Sequence, residues 1–108
     1  MNFTYKNLSL KFVEYKIEYG NTYFFFECPD VQIVLHPFHN RWSLAITRKK
    51  TAYTPKNQAL HNWLVDIQEN GNRAEGDKFF HFLFTQSPLR LKLLLELGQD
   101  FFEKNKPA

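Results

Sequence analysis

The sequence predicts a single α+β domain, residues 1–108, in which a four-stranded antiparallel β-meander is followed by two or three helices packed on one face of the sheet. Apolar residues recur at every second position through residues 8–48, which is typical of strands with one buried face. Turn-forming residues interrupt this pattern at three places. Residues 55–104 instead carry apolar residues at helical spacing, with helix start and stop signals. We therefore expect a strand-rich region 8–48 and a helical region 55–104.

The first predicted strand changes its alternation partway along. Apolar side chains occupy even-numbered positions up to Phe12 and odd-numbered positions from Val13 onward. A regular strand cannot bury both sets, so we expect a bulge or bend at Phe12–Val13. Three later residues share one face: Tyr15, Ile17 and Tyr19. If the helices cover the opposite face, this apolar surface stays open, which favours a homodimer or a partner protein.

The next three strands are separated by turn signals at Gly20–Asn21, at Pro29–Asp30 and at residues 37–40. Residues 22–28 are apolar on both faces, as in a central strand. Cys28 has no basic neighbour and is interpreted as a small core residue. Trp42 lies on the inward parity of the fourth strand and is expected in the core.

Two helices have clear start signals, Thr54–Pro55 and Ser87–Pro88. Asn70–Gly71 ends the first helix. Its predicted buried stripe is Leu60, Trp63, Leu64 and Ile67. The stripe predicted for the second helix is Leu91, Leu94, Leu95, Phe101 and Phe102. Gly98 lies inside this second helix, where it indicates close packing against the sheet.

The segment between these helices is harder to interpret. Residues 70–77 are polar and contain glycine, which predicts a loop. Residues 78–84 fit two patterns: Phe80, Phe82 and Phe84 alternate like a fifth strand, whereas Phe79, Phe82 and Leu83 suit a short helix. The helix is the favoured interpretation.

Enzymatic, cofactor and metal chemistry find no support in the motifs. The four glycines form no phosphate-binding pattern, and the acids are scattered along the chain. We therefore predict a non-enzymatic protein without a cofactor. His36 and His39 are expected as exposed imidazoles of one turn; with a single cysteine and dispersed histidines, no zinc pattern is complete.

The location expected from the sequence is the cytoplasm. One cysteine excludes an intramolecular disulfide, the first residues do not resemble a signal peptide, and no apolar run is long enough to cross a bilayer. We therefore expect no association with a membrane.

The strongest functional signal is a basic tract. Residues 31–65 contain five cations and no acid, whereas the rest of the chain has nine cations and eleven acids. The formal net charge of +3 therefore arises in this segment. The candidate binding residues, all within the basic and aromatic segment 36–56, are Arg41, Arg48, Lys49, Lys50, Tyr53 and Lys56.

Two functions fit such a tract, beside the simpler interpretation of a solvated strand end that resists aggregation. The first is a small factor that binds a protein partner with an acidic surface. It would be of the inhibitor, immunity-protein or accessory-factor type that bacteria, phages and mobile elements encode. The tract would steer the partner, and the abundant aromatics would anchor it. The second is nucleic-acid binding, with single-stranded DNA or RNA favoured, in which cations neutralise phosphates and aromatics stack on bases.

Overall fold

The computed structural model describes residues 1–28, 31–38, 41–48, 58–86 and 88–105. It contains one antiparallel sheet whose strands follow one another in chain order. The strands are β1 (Asn2–Tyr5), β2 (Leu8–Glu18), β3 (Asn21–Cys28), β4 (Val31–Phe38) and β5 (Arg41–Arg48). The helices are α1 (Gln58–Asn70), α2 (Asn72–Thr85), α3 (Leu89–Leu97) and α4 (Gln99–Lys104). The α+β class and the antiparallel meander are thus confirmed.

The sheet has five strands rather than the predicted four. The additional strand, β1, pairs with β2 from Tyr5 opposite Leu8 to Asn2 opposite Lys11. This strand was not predicted because its four residues are too few to show an alternation, and because the turn that joins it to β2 contains no glycine. Lys6 and Asn7 nevertheless both have positive φ, at 49° and 64°, as a tight two-residue hairpin requires.

The predicted bulge in β2 is present. The pairing of β2 with β3 shifts between Phe12 and Glu14, so Val13 is the extra residue. Beyond the bulge, Tyr15 lies opposite Phe24, a buried residue on the helix side of the sheet. The face shared by Tyr15 and Ile17 is therefore the helix-covered one. The predicted open surface of Tyr15, Ile17 and Tyr19 on the face opposite the helices is therefore wrong, although Ile17 and Tyr19 are exposed.

Two turn positions also differ from prediction. Glu18 pairs with Asn21, so the first turn consists of Tyr19 and Gly20 instead of Gly20–Asn21; both residues have positive φ. The turn expected from residue 37 begins later, because β4 includes Pro37. Proline is tolerated there because β3 pairs with β4 only as far as Leu35, and the missing N–H removes no bond beyond that point. Residues 29–30 and 39–40 lie outside the described residues.

The predicted loop 70–77 is wrong, because α2 begins at Asn72 and continues through the ambiguous segment to Thr85. The helical interpretation of residues 78–84 is thus confirmed. Gly71 does interrupt the helices, with φ +80°. Gly76 is not a loop residue; it brings α2 against the backbone of β5, because a Cβ on Gly76 would lie 1.8 Å from the Trp42 carbonyl oxygen.

The last predicted helix is divided in two. Gly98 has φ +87°, ends α3 and precedes α4, and a Cβ added to it would meet nothing within 4 Å. Its role is therefore conformational, and the predicted close packing against the sheet is wrong. The predicted stripe is also partly wrong, since Leu91 and Leu95 are exposed while Leu89 and Leu93 are buried. The sequence of α3 is so rich in leucine that periodicity does not select one face.

The core lies between one face of the sheet and the helices, and aromatic rings fill much of it. Trp42 and Trp63 are almost fully buried, as predicted, and so is Cys28. The predicted stripe of α1 faces this core, with Leu60 and Trp63 buried and Leu64 and Ile67 packed at its margin. The start predicted at Thr54–Pro55 and the hydroxyl cap at Ser87 lie outside the described residues.

Among the helices of the described residues, none combines the length and the apolar character that a membrane crossing would require.

Candidate functional site

The predicted basic tract is only partly within the described residues. Arg41 begins β5, is exposed, and donates from Nε to Asp77 Oδ2 on α2 at 3.1 Å. The backbone of Arg48 ends the same strand. Lys49, Lys50, Tyr53 and Lys56 lie outside the described residues. The tract therefore stays a prediction, with one member placed beside the helices.

The helices form an open groove of about 850 Å³, called here the helical groove. Its floor is aromatic and aliphatic: Phe80, Phe84, Leu94 and Phe102. Three ring contacts fix this floor. Phe80 stacks on Trp42 with centroids 4.3 Å apart and an interplanar angle of 11°. Phe84 contacts both Trp42, at 5.5 Å, and Phe102, at 5.0 Å.

The rim of the helical groove carries one lysine, one arginine, one histidine and two acids. The exposed side chains of Lys78, His81 and Arg90 line it, and they make no ion pair or hydrogen bond within the part of the chain that the structure describes. Asp77 and Glu103 also line it. Asp77 is already engaged by Arg41 and by the Trp42 backbone N–H, which donates to Oδ1 at 2.7 Å, whereas Glu103 Oε1 accepts a hydrogen bond from Gln99 Nε2 at 3.0 Å. With Asp77 paired, the charge left for a ligand comes from two cations and one acid and is positive in sum.

The face of the sheet opposite the helices, called here the open sheet face, carries its own aromatic group. Tyr23 and His36 are neighbours with ring centroids 5.1 Å apart, and Lys16 Nζ lies 5.3 Å from the ring centre of Phe25. Phe25 lies opposite Val34, also half-buried. His36 is therefore a strand residue and only partly exposed, so the predicted exposed turn position is wrong; His39 lies outside the described residues.

A third feature is the Glu75 cluster, which consists of Tyr5, Lys6, Trp63 and Glu75. The Glu75 side chain is fully buried, and its Oε1 accepts hydrogen bonds from Trp63 Nε1 at 2.5 Å and from Tyr5 Oη at 3.4 Å. Lys6 Nζ lies 2.9 Å from the same oxygen and 3.0 Å from Asp66 Oδ2. These bonds join the β1–β2 turn to α1 and α2.

The electrostatics of the Glu75 cluster follow from burial and from charge. Burial, reinforced by the negative charge of Glu75, raises the pKa of Tyr5 to about 12. Burial opposes protonation of Lys6, but the hydrogen bonds from its ammonium to Glu75 and Asp66 outweigh it and raise its pKa. Glu75 Oε2 is buried without a hydrogen-bond partner in the described part of the chain. Because Glu75 is buried away from solvent, the cluster stabilises the packing of the β1–β2 turn against α1 and α2.

Neither the helical groove nor the Glu75 cluster was predicted from the sequence. The groove requires three helices to be placed relative to one another, which periodicity does not provide. Glu75 looks like one of several scattered acids, and only the unusual pairing of a buried acid with a tryptophan N–H reveals it. Within the described residues, no group of three or more His, Cys, Asp or Glu side chains could hold a metal ion.

Comparison with known proteins gives no relative: no family model, curated protein or solved structure matches this chain.

Proposed function

We propose that this protein is a small, non-enzymatic protein-binding factor, and that its partner inserts apolar side chains flanked by acidic ones into the helical groove. The observation that carries this proposal is the combination of a fixed aromatic floor with cations that have no partner within the described chain. Inhibitors, immunity proteins and accessory factors of bacteria, phages and mobile elements are the type of protein to which we assign it.

The floor of the groove favours binding because it is ordered before a partner arrives. Phe80 and Phe84 are held by their contacts with Trp42, so little side-chain freedom remains to be lost on association. Aromatic and aliphatic anchors that fill such pockets carry most of the binding energy in protein interfaces. An apolar side chain of the partner would therefore gain contact area here at small entropic cost.

The rim favours an acidic partner over a neutral one. Carboxylates near Lys78 and Arg90 would gain charge-assisted hydrogen bonds without breaking an existing ion pair. Arg41 adds a further cation that is half exposed beside Asp77. Complementary charge of this kind increases the association rate and orients the partner.

Site-specific photo-crosslinking tests this proposal directly. A benzophenone amino acid replaces Thr85, which is exposed and lines the groove, and cells of the source organism are irradiated. We expect one predominant protein adduct with an acidic segment, formed at moderate salt. Arg90→Glu should reduce its yield by about tenfold, because the rim then repels carboxylates.

The matched control is Lys104→Glu, which makes the same charge change on an exposed residue of α4 that does not line the groove. Its adduct yield should equal that of the parent protein. Equal yields for Arg90→Glu and Lys104→Glu, or an adduct with no acidic segment at the cross-link, would exclude the groove as the site.

The open sheet face supports a second candidate, the binding of single-stranded nucleic acid. Tyr23, Phe25 and His36 present rings on the sheet face opposite the described helices, and Lys16 lies beside them. Rings on such a surface stack on bases while cations contact phosphates. In this candidate, the cations of the predicted basic tract, including Arg48, Lys49 and Lys50, would contribute further phosphate contacts.

Fluorescence anisotropy of labelled single-stranded oligonucleotides at about 50 and 200 mM salt separates the two candidates, because phosphate contacts weaken steeply with salt. Nucleic-acid binding should fall by about tenfold or more between these concentrations and be lost in Phe25→Ser and in the triple variant Arg48→Ala, Lys49→Ala, Lys50→Ala. Absence of binding at the lower salt excludes this candidate and leaves the groove proposal untouched.

A further inference from the structure

The outer edge of β2 is open over half of its length. β1 pairs with β2 only as far as Lys11, and the Phe12 N–H donates to the Met1 carbonyl oxygen at 2.9 Å. From Glu14 to Glu18, β2 pairs with β3 on one side, Val13 is the unpaired bulge residue before them, and no strand of the described residues lies on the other side of this segment, Val13 to Glu18. We call this six-residue segment the β2 edge.

The side chains along the β2 edge leave it accessible. Val13 is 42% exposed and Ile17 60% exposed, and the side chains of Glu14 and Lys16 are each 51% exposed. Unpaired backbone N–H and C=O groups in a strand of this kind accept another strand, and apolar side chains at the edge favour that pairing. Tyr19, at the adjoining turn, is fully exposed.

We propose that the β2 edge binds the β2 edge of a second copy of this chain, antiparallel and with the twofold axis at Tyr15, so that the two sheets become continuous. Residues directly opposite in an antiparallel pair lie on the same face of the sheet. This register places Glu14 of each copy opposite Lys16 of the other. It also places Val13 opposite Ile17 at both ends of the match.

The other symmetric registers are less favourable. An axis at Lys16 would oppose the two ammonium groups and would set Glu14 against Glu18. An axis at Glu14 would oppose two carboxylates. Like charges directly opposite destabilise a strand pair. An axis at Ile17 would extend the match to Tyr19, which leaves the strand with φ +51°. Charge and strand length thus select the register at Tyr15.

In the single chain, Lys16 Nζ lies 3.4 Å from Glu14 Oε1. Both groups are half exposed, so this ion pair is weak. Exchange of this contact in each copy for two contacts between the copies keeps Glu14 and Lys16 paired while it adds the backbone hydrogen bonds of the new ladder. The backbone ladder therefore provides the affinity, and the charge pairs provide the register.

The test is a set of charge reversals measured by sedimentation equilibrium between about 5 and 200 µM. The parent protein should shift from 13.0 kDa to twice that mass with rising concentration. Glu14→Lys and Lys16→Glu should each weaken self-association by about tenfold or more, because each then opposes like charges. Lys11→Glu is the matched control, since this exposed residue of the same strand is already paired with β1, and it should leave the mass distribution unchanged.

A mixture of the two reversed variants provides the decisive comparison. Glu14→Lys places cations at positions 14 and 16 and Lys16→Glu places acids at the same two positions, so the mixed pair regains both ion pairs and should associate at least as strongly as the parent. Circular dichroism confirms that each variant is folded. A parent that stays at 13.0 kDa throughout, or a dimer that neither reversal weakens, would overturn the proposal, as would a mixture no stronger than its components.

Discussion

Gly76→Ala should destabilise this protein strongly, although helix propensity alone predicts the opposite. Alanine is favoured over glycine inside a helix by about 1 kcal/mol. In this structure, however, the added Cβ at position 76 would lie 1.8 Å from the Trp42 carbonyl oxygen and 2.7 Å from its carbon. Such atoms essentially never approach closer than 3.0 Å, so α2 and β5 must separate by roughly 1 Å.

The cost of this separation follows from the contacts beside Gly76. The bond from the Trp42 N–H to Asp77 has a charged acceptor and is worth about 1.5–3 kcal/mol. The stack of Phe80 on Trp42 adds about 0.5–1.5 kcal/mol beyond its buried area. Partial loss of both, together with the 1–3 kcal/mol typical of overpacking and less the propensity gain, gives a net destabilisation of about 2–4 kcal/mol.

Urea unfolding followed by tryptophan fluorescence measures this effect, because both tryptophans are buried. A domain of this size should lose about 2 M from its unfolding midpoint. The control is Ala74→Gly, two residues earlier in α2, which should lose only the propensity difference of about 1 kcal/mol. An unchanged or raised stability of Gly76→Ala would refute the close approach of α2 to β5.

Three further predictions concern single side chains. Tyr19→Asn should stabilise the protein by about 1 kcal/mol in thermal unfolding, because Tyr19 has positive φ while fully exposed and Asn adopts that conformation more readily. No gain in stability would contradict the positive φ at this turn position. Burial lowers the pKa of His36 from 6.5, so its contribution to stability is present above that pH and is lost as the pH falls below it. In urea titrations at different pH values, His36→Gln should flatten the dependence of stability on pH below 6.5, and an unaltered slope would contradict the burial. The pKa of Tyr5 is raised from 10.0 to about 12, so its contribution to the stability of the fold is complete below pH 10.0 and decreases as the pH rises toward 12. Tyr5→Phe should remove that decrease, and a decrease that persisted in the variant would contradict the burial of the hydroxyl.

The sheet was largely predictable because its signals are local. Alternation over residues 8–48 and the change of parity at Phe12 follow from one strand and its two faces, and both are present. The turn at Tyr19–Gly20 was placed one residue late, because Gly20 and Asn21 both tolerate the required conformation and only the pairing of Glu18 with Asn21 decides between them.

The helical half was less predictable because glycine has two opposite uses there. Gly71 and Gly98 end helices with positive φ, whereas Gly76 lies inside α2 and allows close contact with β5. Composition alone does not separate these uses, so residues 70–77 resembled a loop. The helical groove depends on how α2, α3 and α4 pack after these breaks, and no single segment of sequence contains that information.

The proposed groove and the proposed β2 edge share no residue, which has a consequence for binding. A dimer joined through the β2 edge would leave both helical grooves unoccupied and would present two equivalent sites. A partner with two acidic segments, or one displayed at high density, would then bind with increased avidity without any new contact. Lys16→Glu should therefore weaken binding to a dense partner surface but not to the same partner in monovalent form, whereas Arg90→Glu should weaken both. If Lys16→Glu weakened monovalent binding as well, the partner would contact the β2 edge itself, and the two surfaces could not be independent.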